Sequence, residues 1–382
     1  MEMAEPIQVG LIGLGFIGKM HATAYRDIPL CFIDPPVRAN LAAVLRSNLQ
    51  TETEFMREVD FGLATSDMDE FLHVPLDVVD VCSPNMLHKE QVERALACGL
   101  HVYCEKPLAL NLDEAREMTQ AAKDAGVLTH MAFVFRYLPA IRQMKTILTR
   151  GEIGEVLNFR GHMFHGSYLN PERPISWRLR QSEAGGGVLV DLGVHMIDLV
   201  HALLGRISRV KTLVKTFISE RPSSGDSASR EKVDVDDWAH CTLELENGAV
   251  GVIEVTRMAA GAEQEYSLEI YGSQGSLLFD VRRSTEISHF DLKKGCWTKG
   301  IVDISTMSGE HPIDTLWPPA KFSQGMMTNA HLACAYDFLQ CIAEGKPSTV
   351  DFSVGLAAQE VLEACYLSAR NGEAWVKLPL TI

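Results

Sequence analysis

Short apolar runs alternate with amphipathic stretches over the first third of the chain. Residues 7–12 are an apolar run that ends in glycines, and the spacing predicts a helix over 16–26. Residues 41–45, 77–82, 101–104 and 127–131 read as four further buried strands. Between them, 86–98 and 111–125 have helical spacing and stop at Gly99 and Gly126. Asn111 stands where an N-cap belongs, with Asp113 and Glu114 in the first turn behind it. Short apolar strands alternating with helices predict a parallel sheet covered on both faces, hence an α/β fold.

From residue 156 the rhythm changes. Residues 156–165, 209–217, 238–246, 249–257, 266–271 and 276–281 are strand-like, and Asn247-Gly248 joins two of them as a hairpin. Consecutive strands with tight turns predict a largely antiparallel sheet. Residues 219–233 are polar and Ser-rich without a period, which predicts an exposed loop. A second irregular stretch spans 306–325, and helices near 330–343 and 354–369 follow.

Composition narrows the class. Of 382 residues, 46% are apolar and 22% charged, which excludes a disordered, collagen-like or disulfide-dense chain. Lys and Arg total 35 against 50 Asp and Glu, a net charge of −15 that repels phosphate backbones and anionic lipids. Nucleic acid and membrane are therefore not expected as partners. The nine cysteines form no Cys-x-x-Cys pair and read as buried thiols in a reducing compartment. The first residues hold Glu2 and Glu5 and no basic cluster, the apolar stretch 9–17 is short and Gly-rich, and no run reaches about 18 uncharged apolar residues. A cytoplasmic location is the expectation.

Gly13, Gly15 and Gly18 make a G-x-G-x-x-G between the first strand and the first helix. The first glycine permits the tight turn, the second lets the backbone approach a pyrophosphate, and the third lets helix and strand pack closely. Phe16 and Ile17 lie inside this turn, where helix amides face phosphates. The acid expected after the second strand for the ribose hydroxyls is missing, and the strand ends at Arg46 and Ser47 instead. These two fit a ribose 2′-phosphate. Arg46 stacked on adenine or turned to solvent fits equally, so NAD and NADP both stay open.

Ligands in open α/β sheets sit beyond the carboxyl ends of the strands. Ser83-Pro84-Asn85 falls there, with His88 three residues on, and so does Glu105-Lys106-Pro107. A lysine at that edge can bind a substrate hydroxyl and share its proton. Residues 188–204 have helical length and are mostly apolar, yet Asp191, His195 and Asp198 recur on one face. A carboxylate four residues before a histidine can orient the imidazole as a general base. A self-satisfied Asp–His pair is the alternative that spacing leaves open. Neither Cys-x-x-Cys nor His-Glu-x-x-His occurs, and His162 and His165 point to opposite faces of a strand, so no metal is expected.

Together these motifs resemble the glucose–fructose oxidoreductase / inositol dehydrogenase (Gfo/Idh/MocA) family. Gly13-x-Gly15-x-x-Gly18, Ser83-Pro84-Asn85-x-x-His88, Glu105-Lys106-Pro107 and Asp191-x-x-x-His195 stand in that family's order. Ser176-Trp177-Arg178, Gly185-Gly186-Gly187 and the run 151–155 resemble its sugar-oxidising branch. The resemblance implies a Rossmann NAD(P)-binding domain over 1–134. Over 135–382 it implies an α/β substrate-binding and oligomerisation domain with an open, mainly antiparallel sheet. It further implies oxidation of a secondary hydroxyl on a sugar, polyol or anhydrosugar, or the reverse, in a homodimer or homotetramer. By position Lys106 matches the catalytic lysine, and Asp191 and His195 the acid/base pair. Gly13, Gly15, Phe16, Ile17, Gly18, Arg46, Ser47, Ser83, Pro84, Asn85, His88, Glu105 and Lys106 would line the cofactor. His165, Tyr168, Trp177 and Arg178 are candidates for the sugar pocket, with sheet packing as their alternative. The family's Gly-Phe-Asn-Tyr-Arg stands here as Ala132-Phe133-Val134-Phe135-Arg136, so one polar contact is replaced by Val134. A glycoside hydrolase with tightly bound NAD and a non-catalytic dinucleotide-binding regulator are the alternatives of other classes.

Overall fold

A computed structural model describes residues 5–263, 265–301 and 313–381. They form two compact units, one of 5–109, 113–137 and 313–356, the other of 110–112, 138–301 and 357–381. The chain begins β1 (Ile7–Ile12), α1 (Phe16–Cys31), β2 (Ala39–Leu45), α2 (Thr53–Val59), β3 (Leu63–Thr65) and α3 (Met68–Leu72). It continues β4 (Val78–Val81), α4 (His88–Ala97), β5 (His101–Cys104), α5 (Leu112–Ala125) and β6 (Thr129–Met131). The six strands make one parallel sheet in the order β3-β2-β1-β4-β5-β6. Val78, Val79 and Val81 of β4 are fully buried. A strand covered on both faces loses its alternation, which is why these runs read as continuous apolar stretches. The pattern missed β3: three residues are too short to show a period, and pairing with β2 makes them a strand.

Next come α6 (Pro139–Thr149), β7 (Val156–Phe164), α7 (Gln181–Ala184), a π-helical turn over Leu189–Gly193, and α8 (Val194–Leu204). Strands β8 (Ile207–Lys215), β9 (Glu220–Ser223), β10 (Asp226–Lys232), β11 (Trp238–Leu245) and β12 (Val250–Thr256) follow. Then come β13 (Glu265–Gly272), β14 (Gly275–Asp280), β15 (Glu286–Asp291) and β16 (Cys296–Ile301). The described chain closes with α9 (Ile313–Leu316), α10 (Met326–Glu344), α11 (Phe352–Arg370) and β17 (Val376–Lys377).

In the second unit nine strands form one sheet in the order β16-β15-β14-β13-β7-β12-β11-β8-β17. Only β7 and β12 pair parallel, so the sheet is mainly antiparallel. Asn247-Gly248 forms the turn between β11 and β12, as its sequence predicts. Burial alternates strictly along β11, so one sheet face is covered. Helix α8 lies on that unit's sheet, with Met196 pressed so close to Gly161 of β7 that a Cβ there would stand 2.5 Å from its methyl.

Three expectations change. Residues 219–233 are not an irregular loop: β9 and β10 pair antiparallel, and Arg221 of β9 is fully buried, donating to the carbonyls of Tyr168 and Asn170. Polar side chains hid a strand whose partners are backbone carbonyls. The stretch 306–325 holds α9 and a short 3-10 turn, Ala320–Phe322, while 306–312 lie outside the described residues. The stretch 181–204, expected to be buried and found so, is long and apolar enough by composition alone to cross a membrane. Its most apolar window is 83% buried inside the protein, as befits a core helix. Finally, residues 313–356, with α10, group with the first unit rather than with the chain that precedes them.

Candidate active site

Register places the predicted cofactor residues in one row. Ile12 of β1 pairs beside Leu45 of β2 and Val81 of β4, Val81 beside Cys104 of β5, and Cys104 beside Met131 of β6. The segments after these ends therefore share the carboxyl edge of the sheet: Gly13–Gly18, Arg46-Ser47, Ser83–Asn85 and Glu105–Pro107. The order reverses between β1 and β4, the point where such sheets take ligands.

The three glycines are explained one by one. Gly13 has φ +90°, and a Cβ there would stand 2.9 Å from the Cys82 carbonyl oxygen. Gly18 sits so close to the turn that its Cβ would lie 2.0 Å from the Gly13 oxygen. At Gly15 a Cβ would meet nothing within 4 Å. Gly15 caps α1 without a side-chain hydrogen bond, and Phe16 beside it is 78% exposed. A bare backbone at the start of a 16-residue helix is a cradle that fits a pyrophosphate.

Around the turn the other residues divide. Ile17 is half-buried at the start of α1. Ser83 Oγ donates to Gln91, Pro84 precedes a 3-10 turn, and Asn85 opens that turn, 6% exposed. Lys106 is half-buried at the end of β5, in a cis Lys106-Pro107 peptide. Arg46 donates to the carbonyl oxygen of Thr51 at 2.8 Å and to its hydroxyl, while Ser47 is exposed. Two residues expected at the cofactor face inward instead. His88 is fully buried, with its ring nitrogens 3.1 Å from the carbonyl oxygens of Ser83 and Pro107; it ties two edge loops together. Burial pulls its pKa below the usual imidazole range. Glu105 is 7% exposed, and its carboxylate lies 3.2 Å from His21 Nε2 and accepts the Lys106 backbone N–H at 3.2 Å. Burial alone would raise Glu105, but the His21 hydrogen bond and charge, then Lys106, outweigh it and hold the pKa at about 2.

His21 was not singled out by the sequence. It is buried on α1, with Nδ1 2.9 Å from the Asp80 carboxylate of β4. Burial lowers its pKa and the Asp80 charge raises it, and the net direction is well upward. The available signal was an aspartate inside the otherwise apolar β4, which must find a partner when buried.

In the second unit the polar stripe is real but its geometry differs. Residues 188–204 are not one α-helix: Asp191 sits in the π turn, half-buried, and His195 is the second residue of α8, 7% exposed. The π turn carries one extra residue, so counting i, i+4 and i+7 on a single α-helical face does not hold across it. Asp198 is 1% exposed within the core. The helix start is fixed by Asp236, whose carboxylate accepts the backbone N–H groups of Gly187 and Leu189, each at 2.9 Å. Tyr366 donates its hydroxyl to the same carboxylate at 2.7 Å. The same crowding explains the last glycine of the triplet, since a Cβ on Gly187 would lie 2.0 Å from the Asp236 carbonyl oxygen. Nothing in the sequence marked Asp236 or Tyr366, which are 49 and 179 residues away from Gly187.

The sugar-pocket candidates split. His165 follows β7 and lies 2.9 Å from Ser167 Oγ; burial lowers its pKa, opposed by the charge of Asp191. Asp191 and His165 therefore sense one another. Trp177 and Arg178 are half-buried, with the guanidinium 4.3 Å from the indole centroid. Tyr168 is instead a core residue. Its ring is 5% exposed, packs with Ile175, Leu179, Val233 and Val235, and faces the guanidiniums of Arg173 and Arg257 at 4.2 and 4.7 Å. Arg257 in turn pairs with Asp237, both fully buried.

Comparison with known proteins agrees with this architecture. Residues 7–133 match the family model "Oxidoreductase family, NAD-binding Rossmann fold", and 145–378 match "Oxidoreductase family, C-terminal alpha/beta domain". The chain is 33% identical to levoglucosan dehydrogenase of Pseudarthrobacter phenanthrenivorans, over 98% of this chain and 99% of that one. It is 28% identical to myo-inositol 2-dehydrogenase of Thermotoga maritima, over 74% and 77%. A solved structure of levoglucosan dehydrogenase in complex with NADH and levoglucosan superposes with a TM-score of 0.90 at 34% identity, covering 98% of this chain and 100% of that one. With both halves matched in order and a relative aligned along almost its whole length, the chain belongs to the Gfo/Idh/MocA oxidoreductase family.

Proposed function

We propose that this chain is a dehydrogenase that moves a hydride between a secondary hydroxyl of an anhydrosugar, sugar or polyol and NAD. The observation that carries the reading is the Lys106 turn on the same sheet edge as the bare Gly13–Gly18 cradle. A solved relative of 34% identity holds NADH and levoglucosan, which makes an anhydrosugar the first substrate to try. NAD is preferred to NADP because Arg46 turns both terminal nitrogens towards Thr51, and because that relative holds NADH.

When bound, the nicotinamide supplies the hydride acceptor. The protein's own groups handle the proton and the charge. Lys106 donates a hydrogen bond to the reacting oxygen and stabilises negative charge that develops there. His195 takes the hydroxyl proton as general base, and Asp191 orients the sugar or the imidazole. Residues Gly13–Gly18 hold the pyrophosphate through backbone amides. His165, Trp177 and Arg178 serve as sugar contacts.

Purified protein mixed with NAD or NADP and a panel of anhydrosugars, aldoses and inositols tests this through absorbance of reduced cofactor. We expect turnover with NAD and at least one sugar. Lys106→Ala and His195→Ala should each lower kcat by roughly 100- to 10,000-fold while NADH affinity survives. Cofactor binding without reduction on any substrate would overturn the dehydrogenase assignment. Normal turnover in either variant would remove that residue from the mechanism.

A further inference from the structure

The first unit buries a chain of charged side chains that the mechanism above does not use. His21 of α1 stands between two carboxylates: Asp80 is 2.9 Å from Nδ1, and Glu105 is 3.2 Å from Nε2. All three are at most 7% exposed. The Cys82 thiol also donates to Asp80, at 3.2 Å. Every element packed around the ring contributes. Tyr103 of β5 stands edge-on with its centroid at 5.2 Å, His331 of α10 is at 5.1 Å, and Tyr25 is on the same helix. Burial and the neighbouring His21 keep His331 neutral, with a pKa of about 3.

An imidazole hydrogen-bonded to one carboxylate at Nδ1 and ion-paired with another at Nε2 serves both only as the imidazolium. The resulting sequence is negative, positive, negative, and it ends at a definite place. The remaining oxygen of Glu105 accepts the backbone N–H of Lys106. Buried ion pairs contribute little net stability, because desolvation offsets the attraction. A buried triad that terminates on the backbone of a reactive lysine is better explained by where it holds that lysine.

We propose that His21 and Asp80 are positioning residues, which fix the Glu105 carboxylate and through it the Lys106 turn for hydride transfer. The inference rests on the dehydrogenase reading. Neither side chain needs to touch substrate or cofactor.

Two amides dissect the ring. In His21→Gln the amide nitrogen stands where Nε2 was and keeps the donor to Glu105. In His21→Asn it stands where Nδ1 was and keeps only the bond to Asp80. The full-length variants would be compared by kcat, by KM for sugar, by NADH affinity from fluorescence, and by exchange of the Lys106 backbone amide with deuterium. We expect His21→Asn to lose about 10- to 100-fold in kcat with NADH affinity unchanged, and His21→Gln to recover most of it. Lys106 amide exchange should quicken in Asn and stay slow in Gln. Equal kcat and equal exchange in the two variants would overturn the proposal, as would a kcat loss that merely tracks weakened NADH binding. If the His21 variants do not fold, Glu105→Gln keeps shape and an acceptor while removing the charge. Unchanged kcat and exchange there would equally overturn it. A wild type that turns over no sugar would sink the dehydrogenase reading alone, since amide exchange still reports the brace.

Discussion

Gly15 and Gly18 are three positions apart, and a methyl group would meet very different surroundings at each. At Gly18 it would lie 2.0 Å from a backbone oxygen, and at Gly15 it would enter open space. Gly18→Ala should therefore destabilise the fold by about 1–3 kcal/mol, seen as a lower Tm. Gly15→Ala should leave Tm unchanged and, on the proposed reading, raise the NADH Kd by about tenfold, since the methyl enters the space a pyrophosphate would take. Equal Tm losses would contradict this division of labour. The buried charges around Glu105 make a second prediction, on acid stability. His331 has a folded pKa depressed to about 3 from 6.5, so the unfolded chain binds a proton there first and stability falls as pH drops through that window. Glu105, held at about 2 against 4.5, contributes stability that is complete above 4.5 and lost as pH falls towards 2. His21 is raised, so its contribution is present below 6.5 and fades as pH rises through the folded value. Melting curves from pH 7 to 4 should show a falling Tm, and His331→Gln should flatten the fall between 6.5 and 4.5. Residues whose role is local, such as the three glycines, were legible in the sequence. His88, Glu105 and Tyr168 were not, because each is defined by carbonyls, carboxylates or guanidiniums brought from elsewhere in the chain.

At the scale of elements, period and punctuation located most strands to within two residues. The failures have causes. β3 is three residues long, and β9 and β10 carry polar side chains that cancel the apolar alternation. Beyond residue 281, β15 and β16 are half-buried or exposed and gave no buried-strand signal. The π turn at Leu189–Gly193 cannot be read from composition, since α and π turns differ by one residue of backbone register. What holds that turn in place is the Asp236 carboxylate, 4% exposed, at its N-terminal side. Asp236→Ala would orphan the Leu189 N–H and the Tyr366 hydroxyl proton and leave the Gly187 N–H only Tyr366, for a loss of about 2–4 kcal/mol in urea unfolding. Asp236→Asn retains one acceptor oxygen and should lose less. If Ala and Asn melt alike, the carboxylate is not what fixes the helix start.

For the whole molecule, the net charge of −15 and the family resemblance bear on assembly. Leu213 of β8 and Val250 of β12 are 44% and 46% exposed on the second unit's sheet. We expect a homodimer or homotetramer by sedimentation, with this sheet as the joining face, and Leu213→Asp should shift the population towards monomer. A wild-type monomer at micromolar concentration would contradict it. The sequence by itself determined the alternation of strands and helices, the tight Gly13–Gly18 turn and the hairpin at Asn247-Gly248. These depend on dihedral preferences and burial over a few consecutive residues. Only the tertiary structure decided that residues 313–356 return to the first unit, that His21 reaches Glu105, and that Asp236 caps the helix bearing His195. Those pairings join residues tens to hundreds of positions apart. No local preference encodes them; they exist because burying a charge or a backbone donor requires a partner, and the fold supplies it.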